Sequence, residues 1–289
     1  MSMIYSASLI NHDIVMFLGG TLKPFDIFVS SLFPKVSSER ITYFSCGHIA
    51  PSSNIRSISL SQGIDGKRFD FTYKHKYNEE MLSDLLFSLV SVCRVVPNGF
   101  VVFFTSYAYM DHVLRKWTLL ARYNELKSIK AVFIEPKDAK DTSRMWSDYT
   151  KAACNSGALL FCVVGGKLSE GINFTDHLAR CVAVIGMPYP DIRDPLLQEK
   201  MKYADGVMTG GGKAFYENIC MKAVNQSIGR SIRHINDFAS ILLFDERYCQ
   251  LRVISQLPDW IRKSAEIPQS FEAVIPHLKH FYLSHGCGP

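Results

Sequence analysis

Two uninterrupted apolar runs, at residues 100–104 and 158–164, constrain this chain more than any other feature of it. Each is about as long as one strand, and apolar side chains fall on both phases of the alternation, so both faces must be covered. Strands of that kind sit in sheets sandwiched between helices. Further apolar runs at 131–134, 181–186 and 238–244 alternate with helical stretches at 78–95, from 105 to about 120, and at 138–154, 195–203 and 213–234. The alternation predicts an α/β fold, a mostly parallel sheet flanked by helices. The run 238–244 is expected to close the sheet, with the remainder helical or irregular.

The first 75 residues read differently. A short strand at 13–18 runs into Gly19-Gly20-Thr21-Leu22, a helix is expected at 24–33, and extended pieces follow at 41–45, 55–60 and 68–73, separated by turn-rich stretches. Residues 1–75 are therefore expected to form a connecting region and 76–289 the main domain, with glycine-rich 206–212 as a mobile loop. At 289 residues and 47% hydrophobic content the chain can bury a substantial core. Its net charge of +5 permits nucleic-acid binding without demanding it. No apolar run reaches the roughly 20 residues of a membrane span, and the start lacks the order of a signal peptide, so a cytosolic or nuclear protein is expected. Eight cysteines without a C-x-x-C pair read as reduced core thiols.

Ligands of a parallel sheet gather at the carboxyl ends of its strands. Four candidate loops fall there: Gly19–Leu22, Thr105-Ser106-Tyr107, the glycine-rich stretch with Lys167, Glu170, Gly171 and Asn173, and the turn after Gly186. A serine can bond a phosphate oxygen and a tyrosine can stack on a base. A separate signal is Gln226-Ser227-Ile228-Gly229-Arg230-Ser231-Ile232-Arg233. At about 100° per residue, Gln226, Arg230 and Arg233 share one helix face, opposite an apolar stripe of Met221, Val224, Ile228 and Ile232. Two guanidinium forks suit a phosphate group. Both arginines are expected to face the sheet rim that bears the Lys167 loop.

The pattern Q-x-x-G-R-x-x-R resembles the sixth motif of superfamily two helicases, G-K-x-x-E-G-I-N-F the fifth, and Phe104-Thr105-Ser106-Tyr107 the fourth. Gly19-Gly20-Thr21-Leu22 takes the place of the third. In order and content these resemble the iron-sulfur DNA helicases of the xeroderma-pigmentosum group D kind, above all the chromosome-loss, cohesion-associated branch. The resemblance implies a RecA-like second motor lobe, with the last strand and exit loop of the first lobe within residues 1–75. It makes Arg233 the arginine finger, Arg230 its companion and Gln226 a polar contact in the nucleotide cleft. Lys167, Glu170, Gly171 and Asn173 would serve the nucleotide and its coupling to DNA. Many relatives have Asp where Asn173 stands, which would weaken a ribose contact. Thr21, Ser106 and Tyr107 would touch the translocating strand.

The chain has no phosphate loop G-x-x-x-x-G-K-[ST] and no acidic metal-binding strand end. By the same resemblance ATP is shared with a first lobe, which would hold Mg²⁺ and a 4Fe-4S cluster. The implied partners are single-stranded or forked DNA, the first lobe in cis or trans, and cohesion or replication proteins in the nucleus. The implied work is 5′–3′ unwinding in chromosome maintenance or repair. Alternatives are a non-catalytic DNA-binding or partner-docking remnant and, disfavoured by Gln226 and the Gly-Gly-Thr loop, an RNA helicase lobe.

Overall fold

The computed structural model describes residues 14–17, 25, 29, 33, 35–44, 47–137, 141–168 and 174–287. The chain divides into two compact units, Met1–Gly47 and His48–Pro289. In the first, a 3₁₀ turn spans Ser38–Arg40 and the rings of Phe25 and Tyr43 stack at 4.8 Å. Residues 14–17, within the expected first strand, are in no strand, and most of the expected helix at 24–33 lies outside the described residues. The compact units meet at Gly47 and His48, and the strand beginning at Ile55 is paired along its whole length inside the second unit.

That unit is built on seven strands. They are β1 (Ile55–Leu60), β2 (Gly99–Phe104), β3 (Ala131–Ile134), β4 (Ala158–Val163), β5 (Cys181–Ile185), β6 (Ala239–Phe244) and the two-residue β7 (Ala265–Glu266), in the order β3-β4-β2-β5-β6-β1-β7. Every pairing is parallel. The run 238–244 therefore does not close the sheet: β1 and β7 lie beyond it. Of the extended stretches expected at 41–45 and 68–73, the described residues 41–44 and 68–73 are not strands of the sheet; Arg68 makes an isolated antiparallel bridge with Gln62.

The helices are α1 (Glu79–Cys93), α2 (Tyr107–Trp117), α3 (Ala121–Ile129), α4 (Thr142–Asn155), α5 (Pro195–Val207), α6 (Gly211–Ile228), the single turns α7 (Leu251–Ile254) and α8 (Asp259–Arg262), and α9 (Val274–Ser284). Alternation along β2 shows why its sequence is apolar throughout. Phe100, Val102 and Phe104 join one core with α1 and α2, whereas Val101 and Phe103 join a second core with α4 and α6. The cores lie on opposite faces of one sheet, and in the first the fully buried Trp117 donates its indole N–H to Leu82 O at 2.7 Å.

Helix ends follow local chemistry. Asn78 caps α1 by accepting from Met81 N, and Asp194 caps α5, whose first residue is Pro195. The loop expected at 206–212 is a short turn: α5 continues to Val207, Gly210 adopts φ +75, and Gly212 N–H donates to Asp205 Oδ1 at 2.8 Å. Cys93, Cys162, Cys181 and Cys220 are buried free thiols, as their apolar settings predict.

Candidate nucleotide and nucleic-acid site

All strands being parallel, the sheet has a carboxyl rim, after Phe104, Val163, Ile185 and Phe244, and an amino rim, before Gly99, Ala158, Cys181 and Ala239. At the carboxyl rim β4 turns through Gly165, whose φ of +70 favours glycine. The chain then closes on a buried carboxylate, Glu135, just past β3. Glu135 Oε2 accepts from Val163 N at 2.8 Å, and Oε1 from Leu168 N at 2.9 Å and from the Tyr107 phenol at 2.9 Å. A Cβ on Gly166 would fall 2.7 Å from Glu135 Oε1, so this residue has to be glycine for the carboxylate to fit. Burial first, and then the neighbouring carboxylate, push the Tyr107 phenol up to about 12.

Ser106 is the N-cap of α2, its hydroxyl accepting from Tyr109 N at 3.2 Å, a role that leaves the O–H able to donate. Lys167 is exposed and its ammonium donates to Lys137 O at 2.6 Å. Ser106, Tyr107 and Lys167 therefore gather on one rim around Glu135. Thr21, Glu170, Gly171 and Asn173 lie outside the described residues.

The arginine segment departs from expectation in two ways. First, α6 stops at Ile228, with Gly229 as its C-cap, and Ser231 folds back so that its N–H and hydroxyl both bond Ile228 O. Gln226 is on the last helical turn, whereas Arg230 and Arg233 lie in the non-helical stretch that follows, so the three share no helix face. Second, that stretch leads into β6 and so reaches the amino rim, opposite the rim that carries Lys167.

A compact ionic network holds it there. Asp237, fully buried, accepts from Arg180 Nη1 at 2.9 Å, from Phe238 N at 3.0 Å and from Arg233 N at 3.2 Å. Arg180, itself 5% exposed, also donates to Phe238 O at 2.9 Å and lies 3.9 Å from the centre of the Phe238 ring. Asn54 donates to Ile235 O and Asp237 O from the entrance of β1. His234 Nε2 meets Asp176 Oδ1 at 3.0 Å, and Asp176 lies 3.8 Å from Arg180. Asp176 follows the Lys167 loop in sequence, so that stretch of chain starts at one rim and arrives beside the arginines at the other. Arg233 is exposed above this frame and Arg230 half-buried. An exposed guanidinium such as that of Arg233 can meet an anion arriving from outside the lobe.

Asp176, His234 and Asp237 bring three metal-ligating groups within 4.8 Å of one another. The Arg180 guanidinium already supplies positive charge among them. Asp245 caps the turn after β6 and holds Arg247 through both oxygens, a structural role. Among the described residues no cysteine belongs to a group of three or more metal-ligating side chains. Glu135, Asp176, Arg180 and Asp237 were not singled out from sequence. Glu135, Arg180 and Asp237 are charged residues flanking apolar strands, a position that could have marked them.

Residues 89–264 match the family model described as the helicase C-terminal domain. The chain is 42% identical over 284 residues to a zebrafish (Danio rerio) protein named ATP-dependent DNA helicase DDX11, with 93% of this chain and 32% of that protein covered. It is 40% identical over 281 residues to ATP-dependent DNA helicase CHL1 of Meyerozyma guilliermondii, with 93% and 34% covered. The chain thus spans about a third of the length of these relatives. Among solved structures, one titled XPD helicase superposes with a TM-score of 0.54 at 23% identity, over 74% of this chain and 35% of that one. A second, of S. tokodaii Xpd4, gives 0.53 at 15%, over 74% and 38%. At those identities the likeness establishes the RecA-like fold.

Proposed function

Because this chain belongs to the helicase C-terminal domain family, we propose that it works as the second motor lobe of an ATP-dependent DNA helicase. The observation that carries the reading is Arg233, an exposed guanidinium whose backbone is fixed by buried Asp237. ATP binds between two lobes, and the first holds its phosphates and Mg²⁺. Arg233 and Arg230 approach from the amino rim of this lobe and stabilise charge developing on the γ-phosphate, with Gln226 a polar contact at the same edge. A finger of this kind contributes roughly 10³–10⁵ in rate, and only with a phosphate site opposite.

The stretch with Lys167, Glu170, Gly171 and Asn173 serves the nucleotide and its coupling to DNA, Ser106 and Tyr107 meet the DNA strand at the carboxyl rim, and Thr21 is a further contact to DNA by family resemblance. Closure around ATP and reopening after hydrolysis step the lobes 5′–3′ along single-stranded or forked DNA. Support for DNA comes from the names of the relatives, both ATP-dependent DNA helicases. The setting is the nucleus, in chromosome cohesion, replication or repair, and an iron-sulfur cluster resides in the first lobe.

The test is a motor reconstituted from this chain and a first lobe supplied in trans. Arg233→Ala should lower DNA-stimulated ATP hydrolysis by about 10³ or more while leaving the melting profile unchanged. Near-normal turnover would refute the finger. DNA binding by this chain that ignores both ATP and the added lobe would favour a binding remnant instead.

A further inference from the structure

Resting on the reading of the carboxyl rim as the strand-binding edge, we propose that the turn at residues 72–77 is a second DNA contact, stacking a base on Tyr73 and meeting phosphates with Lys74 and Lys76. Phe71, immediately before the turn, lies over the strand ends: a Cβ on Gly186 would fall 2.9 Å from Phe71 Cβ. The turn thus lies on the same rim as Ser106 and Tyr107. Tyr109, in the first turn of α2, donates its phenol to Lys76 O at 2.8 Å, and Tyr77 packs edge-on against Tyr109 and His112. The helix capped by Ser106 therefore carries this turn.

Inside, the turn is rigid. Lys76 N bonds Thr72 O at 2.9 Å, Thr72 N bonds Asp70 Oδ1 at 3.0 Å, and the His75 ring meets Asp70 Oδ2 at 2.7 Å. Its surface combines aromatic faces with positive charge. Tyr73 is 82% and Tyr77 47% exposed, and the Lys76 ammonium lies 5.1 to 5.6 Å from the ring centres of Tyr73, Tyr77 and Tyr109. Large exposed rings on a rigid, cation-bearing turn are what a sequence-tolerant single-strand platform needs. Of the nearby acids, Glu79 and Glu80 are paired with Lys116 and Lys67, and Asp70 is hydrogen-bonded to the His75 ring. Lys74, exposed, takes part in no ion pair among the described residues, which leaves net positive charge for a phosphate strand.

The probe is an oligothymidylate carrying 5-iodouracil, irradiated at low salt with the 289-residue chain reconstituted with a first lobe supplied in trans, and mapped by mass spectrometry. Adducts are expected on Tyr73 or Tyr77. Tyr73→Ala should raise Kd about tenfold, within the range that one stacked base supports, and Tyr73→Phe should stay within about twofold. Lys74→Ala should lower the slope of log K against log salt by about 0.7. Adducts confined to the Tyr107 side, with unchanged Kd for Tyr73→Ala, would overturn this contact and leave the strand-binding rim standing. Absence of both binding and adducts would overturn the two together. Preferential capture of polyglutamate over the oligonucleotide would make the turn a docking point for acidic protein and sink the proposal as well.

Discussion

Replacing Asp237 by alanine tests whether the arginine segment is positioned from beneath. Asp237 is fully buried and accepts three hydrogen bonds, one from a guanidinium that is itself 5% exposed. Removing one partner of a buried ion pair costs roughly 3–5 kcal/mol, because the other charge is stranded in low dielectric. Asp176 at 3.8 Å and the Phe238 ring at 3.9 Å still face Arg180, so the lower end, about 3 kcal/mol, is the expectation. For a chain of this size that lowers Tm by about 6–12 °C. Asp237→Asn keeps an acceptor and should cost less than half as much. Adding Arg180→Met to Asp237→Ala removes the stranded charge and should restore at least about half of the loss, a non-additivity read by urea titration followed by circular dichroism. If Asp237→Ala stays within about 1 kcal/mol of the parent, or the double variant merely sums the two single losses, the network does not hold this segment.

Two further outcomes follow from the same geometry. Glu135→Gln presents an amide N–H to a backbone N–H where the carboxylate accepted, so it should cost about 1–3 kcal/mol and speed amide exchange at Leu168; unchanged exchange there would refute the clasp. Burial pushes the Asp70 carboxyl up, but bonds from Thr72 and from His75 pull it further down, to a net value below the ordinary one. A depressed carboxyl stabilises the fold above its unfolded value, near about pH 4, and loses that contribution as pH falls through the folded value. The stability gap between the parent and Asp70→Asn should therefore narrow on acidification below about pH 4, and a gap constant from pH 7 to pH 3 would contradict the pairing.

The central strands were legible because their sequences are apolar on both phases, which leaves few alternatives. Helix α3 was not, since its sequence buries only Tyr123 and Leu126 and shows little face to a periodicity argument. The two residues of β7 are too few to leave a pattern. The end of α6 was misread for a specific reason: Ile232 continues the apolar stripe of Val224 and Ile228 and is buried as expected, but it reaches the core from a loop. Gly229, a poor helix former, and Ser231, bonding backward, end the helix first. Arg230 and Arg233 were found through their motif, yet their frame of Arg180 and Asp237 depends on pairing across 57 positions of sequence, which no local window reports.

The segment between Leu168 and Asp176 is pinned at both ends, by Glu135 at one margin of the sheet and by His234 at the other. Leu168 and Asp176 are only eight positions apart in the chain, so substitutions at Glu135 and at His234 would each loosen an anchor of the same short connection, from opposite margins.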